Sequence, residues 1–282
     1  MIPAPRPRAR IRLRPTPGGV AGWLYLAWCA VFVAAPILVV CASALNGGRS
    51  MLFPPQDPTL DRFVEFFVTD EVWTRALRLS AIIAVSSAAL ATALAWPVAY
   101  GLWRGASRLS KALGAGLAMP FALPPIVFGV GLGFLWVFAG LIGTVEAAIL
   151  SHAALHAALP LATISIGLQS VERAHLDAAA TLGATERVIF RTIILPQTIP
   201  YTASGFFFAL VLSFNEFIVT FFVSASAYST VTLQIFNSLR NGFTPTMAVG
   251  AIAFILTSVL AFGLVARFGD LPRLMGADPA RR

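Results

Sequence analysis

The sequence puts few groups capable of chemistry inside its apolar stretches, and Glu216 is foremost among them. It lies in SFNEFIVTFF (Ser213–Phe222), beside Asn215. A carboxylate within a membrane span costs about 2.5–3.5 kcal/mol on insertion scales, so such an acid normally faces a cavity or a partner. Glu216 and Asn215 are therefore candidates for lining a solute pathway, where the acid would attract an ammonium group. A structural hydrogen bond to a neighbouring span is the competing reading. His152 and His156 stand one helical turn apart and could share a metal ion. Glu146 is the nearest further ligand, however, and zinc sites normally use at least three protein ligands. No metal, cofactor or catalytic residue is assigned. Cys29 and Cys41 share one apolar run, about 18 Å apart on a helix, too far to bridge.

No nucleophile–base constellation supports an enzyme. A phosphate-binding loop ends G-K-[ST], and the only lysine is Lys111, in Ser110-Lys111-Ala112. If ATP drives this protein, another chain hydrolyses it.

The elements that must position these residues follow from composition. Of 282 residues, 58% are hydrophobic and 11% charged, against about 25% charged in soluble domains. Mean hydropathy is +0.82. The balance predicts an all-α integral membrane protein. Six apolar runs, roughly 20–45, 77–103, 113–140, 145–170, 199–223 and 246–268, reach the length of about 20 residues that a helix needs to cross a bilayer. They are continuous rather than alternating, which argues against barrel strands.

Net charge is +8. The basic residues flank apolar runs, which points to membrane topology and anionic lipid rather than nucleic acid. Fifteen of the twenty fall on one side if the spans alternate: Arg6, Arg8, Arg10, Arg12 and Arg14; Arg104, Arg108 and Lys111; Arg173, Arg187 and Arg191; Arg267, Arg273, Arg281 and Arg282. Both termini are thus expected in the cytoplasm. The organisation read from this is a basic tail over 1–19, a six-span domain over 20–270 with a cytoplasmic loop at 172–197, and a second tail over 271–282. The first run is too long for a signal-peptide core and reads as an uncleaved anchor. Asp61–Leu77 is either an amphipathic helix in the interface or a loop feeding the second span. Pro120, Pro124 and Pro125, with Gly129, Gly131 and Gly133, kink the third run, and Pro97 the second. A broken helix lining a pathway and simple close packing explain them equally.

The loop contains LDAAATLGATERVIFRTIILP (Leu176–Pro196). Asp177 suits a helix N-terminus, and Gly183 can end a short helix in the left-handed region. A second helix can start from Thr185 as N-cap. It would set Arg187 and Arg191 one turn apart and leave Val188, Ile189, Ile193 and Ile194 for apolar surroundings. Pro196 is expected to stop it, and Pro200 to mark entry into the fifth span. A helix–turn–helix of this kind is either a docking element or an ordinary loop.

This segment resembles the signature of permease subunits of binding-protein-dependent ABC importers, E-A-A-x-x-x-G, nine residues, then I-x-L-P. Here it reads Asp177-Ala178-Ala179, Gly183, then Ile193, Leu195 and Pro196, with aspartate in place of the opening glutamate. The resemblance implies a type I importer fold in which 172–197 couples to a separate ATPase. It implies two ATPase copies using ATP and magnesium, a second and different permease chain, a periplasmic binding protein, and residence in the bacterial inner membrane. Phe53-Pro54-Pro55, Phe63, Phe66-Phe67, Trp73, SFNEFIVTFF and TLQIFNSLRNGFTP (Thr232–Pro245) are similar to the subgroup that includes spermidine/putrescine permeases. A polyamine is the solute this implies first, with iron, phosphonate, opine or amino-acid-like solutes as alternatives. An ion-coupled secondary transporter is the rival class; it would leave the loop signature without a purpose.

Overall fold

The computed structural model describes residues 17–48, 50–242 and 244–268. The basic tails lie outside these residues, except that 17–19 already belong to the first helix. Arg6, Arg8, Arg10, Arg12, Arg14, Arg49, Arg273, Arg281 and Arg282 are therefore outside the described residues.

Every regular element among the described residues is helical. Helix α1 (Pro17–Ser43) packs against the last helix (Pro245–Phe268). It leaves Trp23, Leu24, Val31 and Phe32 uncovered by the rest of the chain. Both cysteines are on α1, half-buried and free. The stretch at Asp61–Leu77 is neither one amphipathic helix nor a plain loop. It forms α2 (Asp61–Val64), a π-helical turn (Glu65–Thr69) and the start of α3 (Glu71–Arg104). Asp70 caps α3, its Oδ1 accepting from the Val72 amide at 2.8 Å and the Trp73 amide at 3.3 Å. Phe66 is fully buried against Trp73, so it anchors this region to the protein core rather than to lipid.

Helix α3 is the spine of the fold. Its buried face runs Ala76, Ser80, Ala84, Ser87, Ala91, Ala95 and Ala99, at spacings of three and four. Apolar lipid gives helices no hydrophobic reason to associate, so small residues that let backbones approach must supply the contact. Against this face pack α6 (Val145–His156), α7 (Ala158–Gln169) and α10 (Leu195–Asn215). The α7–α10 contact is equally close: a Cβ built on Gly205 would lie 2.7 Å from the Pro160 Cα.

Four helical stretches are long and apolar enough to cross a membrane: Gly19–Ser43, Glu71–Arg104, Glu186–Asn215 and Pro245–Val265. Two bent pairs raise the number to six if each is one span. Helix α4 (Arg108–Ala122) meets α5 (Pro125–Phe138) at 113°, and α6 meets α7 at 46°. The third run is thus a sharp corner rather than a kinked rod. Pro125 holds Pro124 extended, at ψ 129°, and then restarts the helix as its first residue. The milder bend at Ala157 precedes Pro160, whose ring opposes the His156 carbonyl and brings no N–H to it.

Two boundaries expected from the sequence move, and Pro200 marks no entry: it lies inside continuous α10. Pro196 does not stop the second helix of the loop. The chain stays helical from Glu186 through α9 (Glu186–Ile189), a π turn (Phe190–Ile194) and α10. The widened turn, in which the Leu195 amide reaches the Phe190 carbonyl, lets Pro196 enter at the first positions of α10, where no N–H is needed. The fifth run ends earlier than expected, at Asn215, and a separate α11 (Ile218–Ser224) follows.

Candidate functional site

The sequence-predicted residues fall in two places. The first is the 172–197 segment. Helix α8 (Arg173–Thr181) ends in a turn, and α9 begins at Glu186. Gly183 adopts φ +82°, and the Ala184 amide returns to the Ala179 carbonyl at 3.0 Å, closing the helix end as the glycine predicted. Asp177 is not at the N-terminus of α8 but one turn inside it, exposed, because the helix starts at Arg173 after an uncapped Glu172. Thr185 is the N-cap residue of α9, although its side chain makes no capping bond.

One face of this hairpin is rooted. Leu176, Ile189, Phe190, Ile193 and the buried Ile194 pack on a cluster that includes Val98, Leu161, Ile164 and Leu168. Val188, grouped with them in the sequence, stays exposed. Phe190 meets the rings of Trp96 and Tyr100 edge-on, at centroid distances of 5.4 and 5.5 Å. The other face is bare: Asp177, Ala178 and Gly183 are exposed, Ala179 is half-buried, and Leu182 is 88% exposed. Leu195 is half-buried and Pro196 exposed at the far end.

Two features here escaped the sequence. Leu182 was hidden because a single leucine before a turn glycine carries no periodicity. Arg104, at the end of α3, pairs with Glu186 and donates to the Tyr100 hydroxyl at 3.2 Å. With Arg173 and Asp177 these residues line a cleft of about 370 Å³.

The second place is the break between α10 and α11. Glu216 is extended there, at ψ 120°, and half-buried. Its Oε1 accepts from the Val219 amide at 3.0 Å, and its carbonyl accepts from Thr220 Oγ1 at 3.1 Å and Thr232 Oγ1 at 3.2 Å. The carboxylate thus caps its own chain's next helix rather than bonding a neighbouring span. Asn215 Nδ2 donates to the Val211 carbonyl at 2.9 Å. The hairpin and the break are joined by α10 but share no contact.

His152 and His156 are both buried, with ring centroids 6.1 Å apart. Both ring nitrogens of His152 are already engaged, Nδ1 with Ser213 Oγ at 2.8 Å and Nε2 with Thr220 Oγ1 at 2.9 Å. That geometry leaves His152 no lone pair for a metal.

A multi-pass helical membrane protein with an exposed hairpin of this signature defines a class, and comparison with known proteins specifies it. Residues 91–270 match the binding-protein-dependent transport system inner membrane component family. The chain belongs to that family and is a transport subunit, not an enzyme. It is 30% identical over 236 residues to the spermidine/putrescine transport system permease protein PotC of Haemophilus influenzae, covering 83% of this chain and 89% of that protein. It is 29% identical over 268 residues to the molybdenum transport system permease protein ModB of Mycobacterium bovis, covering 89% and 96%. Among solved structures, the fold is similar to a chain of a bacterial alginate ABC transporter in complex with an alginate pentasaccharide-bound periplasmic protein. The TM-score is 0.61 at 16% identity, over 91% of this chain and 93% of that one.

Proposed function

We propose that this chain is one of two different membrane subunits of an ATP-driven importer of spermidine and putrescine. It spans the bacterial inner membrane six times, each bent pair counting as one span, with both termini in the cytoplasm. This orientation puts fifteen of the twenty basic residues on the cytoplasmic side, in keeping with the positive-inside bias.

The observation that carries the reading is the uncovered hairpin tip, Asp177 to Gly183, in a member of this family. Leu182 at its apex stabilises nothing within its own chain. Seated in a groove of an ATPase subunit it becomes an apolar anchor, while Ala178 and Gly183 allow close approach and Asp177 supplies a charge. Two ATPase copies would use ATP and magnesium. Their closure displaces the hairpin. Because Glu186–Asn215 is one helical run, the displacement passes into α10 and on to the break that carries Asn215 and Glu216. The solute acts on this switch only through its different affinity for the two states.

The polyamine assignment is supported by the relative named for spermidine and putrescine and by Glu216, an acid suited to an ammonium group. Delivery by a periplasmic protein is supported by the neighbouring structure that contains one. The test is uptake of radiolabelled spermidine and putrescine in cells with and without this chain, before and after ATP depletion with the ion gradient retained. Uptake lost in both comparisons supports the proposal. Uptake that survives ATP depletion points to an ion-coupled carrier and overturns it. If molybdate binds the cognate periplasmic protein and the polyamines do not, the machinery stands and the solute assignment falls.

A further inference from the structure

Four helices send one polar group each to the level of the α10–α11 break. Ser87 of α3 meets Ser213 of α10, Oγ to Oγ, at 2.8 Å. Ser213 meets His152 Nδ1 of α6 at 2.8 Å, and His152 Nε2 meets Thr220 Oγ1 of α11 at 2.9 Å. Thr220 Oγ1 lies 3.1 Å from the Glu216 carbonyl. All four side chains are buried, His152 to 1% exposure.

For a neutral imidazole the proton accounting closes in either tautomer. With Nε2 protonated, Thr220 accepts from His152 and donates to the Glu216 carbonyl, while Ser213 donates to Nδ1 and accepts from Ser87. With Nδ1 protonated, Thr220 donates to Nε2, Ser213 accepts from His152 and donates to Ser87, and Ser87 donates to the Ala84 carbonyl at 3.2 Å, while Thr232 keeps the Glu216 carbonyl satisfied. In both, His152 bridges Ser213 and Thr220 and every member is satisfied. One turn along α6, His156 has no hydrogen-bond partner at either nitrogen. The polar chain is therefore specific to the His152 level.

We propose that His152 is a positioning residue that fixes the α10–α11 break and thereby aims Asn215 and Glu216. The proposal rests on the reading of Glu216 as part of the pathway. Neither α10 nor α11 alone sets the direction of the chain at Glu216. His152 sets it by holding Ser213 of one and Thr220 of the other, on opposite sides of the break.

The test uses the assembled transporter in proteoliposomes, with Cys29 and Cys41 replaced by serine and Asn215→Cys as reporter. Labelling by a cationic thiol reagent reads how firmly the break is held. Radiolabelled spermidine uptake, in the transporter without the reporter cysteine, reads KM against maximal rate. His152→Ala is expected to raise the labelling rate about tenfold, the product of about threefold for each of the two hydrogen bonds lost, and to raise KM more than it lowers the maximal rate. His152→Gln, whose amide oxygen and nitrogen reproduce the acceptor and donor at similar spacing, is expected to restore both. His156→Leu should change neither. Thr220→Val removes one of the two bonds of His152, the one to α11, and is expected to raise labelling about threefold, which keeps the test open if His152→Ala does not assemble. Unchanged labelling in His152→Ala or Thr220→Val, or no rescue by His152→Gln, overturns the proposal. Raised labelling with unchanged KM, together with normal uptake by Glu216→Gln, keeps the positioning role and removes Glu216 from the pathway instead.

Discussion

Arg104, the last residue of α3, pairs with Glu186, the first residue of α9, across 82 positions of sequence. The pair ties the connection after the second membrane-crossing stretch to the hairpin that carries the family signature. The aromatic contacts of Phe190 with Trp96 and Tyr100 lie on the same side and reinforce it. Through these contacts the hairpin is attached to α3, the spine of the fold, as well as to α10.

Breaking that attachment should weaken coupling rather than folding. Both side chains are at least half exposed, where ion pairs are weak and screened by salt. Arg104→Glu and Glu186→Arg are each expected to lower solute-stimulated ATPase by about two- to fivefold, and the double exchange to recover most of it. Measuring the four proteins at low and high salt checks this; no recovery in the double exchange would show the pair to be incidental.

The bare tip makes a sharper prediction. Asp177→Arg and Leu182→Glu alter exposed side chains that make no contact with the chain's core, so membrane insertion and thermal stability should be unchanged. Attachment of the ATPase should fail, by about tenfold or more in the amount recovered with the permease, because a new charge is placed in a desolvated contact. Co-purification with the ATPase, quantified against wild type, decides it. Normal recovery of the ATPase with both variants would place the docking surface elsewhere.

Gly183 tests the hairpin turn by backbone alone. No atom lies within 4 Å of a Cβ built there, so alanine fits, but φ is +82°. Left-handed backbone costs an L-residue about 1–2 kcal/mol. Gly183→Ala should therefore loosen the turn and speed proteolysis between α8 and α9 about tenfold, whereas Gly183→Asn, which tolerates this region, should do so less. Limited proteolysis of the solubilised protein reads the difference directly.

Gly205 tests the membrane core. A side chain there meets the Pro160 backbone at 2.7 Å and the Thr163 hydroxyl, and helix backbones cannot yield as a flexible side chain would. Gly205→Val is expected to destabilise the protein by about 3 kcal/mol, at the upper end for overpacking. A large drop in detergent-resistant, monodisperse protein on size-exclusion chromatography is the expected result.

Proline shows how far local reading carries. Pro124-Pro125 does break its run, because the second proline forces the first out of helical geometry. Pro196 and Pro97, identical in kind, do not break theirs: the first is absorbed by a π turn at a helix start, the second lies within a continuous α3. A proline reports that one amide hydrogen is missing. Whether the chain breaks depends on whether the flanking turns can absorb the missing bond and the ring's clash with the carbonyl four residues back. Glu216 is similar. Its charge marked the position, but its role as cap of α11 depended on the helix ending there, and nothing in SFNEFIVTFF announces that end.

By itself the sequence determined the helical membrane class, the approximate location of the apolar runs, and the hairpin with its turn at Gly183. These follow from properties each segment carries alone: transfer of about 20 apolar residues into lipid, internal satisfaction of backbone hydrogen bonds, and the conformational freedom of one glycine. Only the tertiary structure decided that Arg104 meets Glu186, that His152 is saturated while His156 is not, and that Leu182 stands uncovered. Hydrogen bonds and ion pairs act over about 3–4 Å. Which groups come that close is set by how small-residue faces on α3, α7 and α10 seat against one another, and no single segment carries that information.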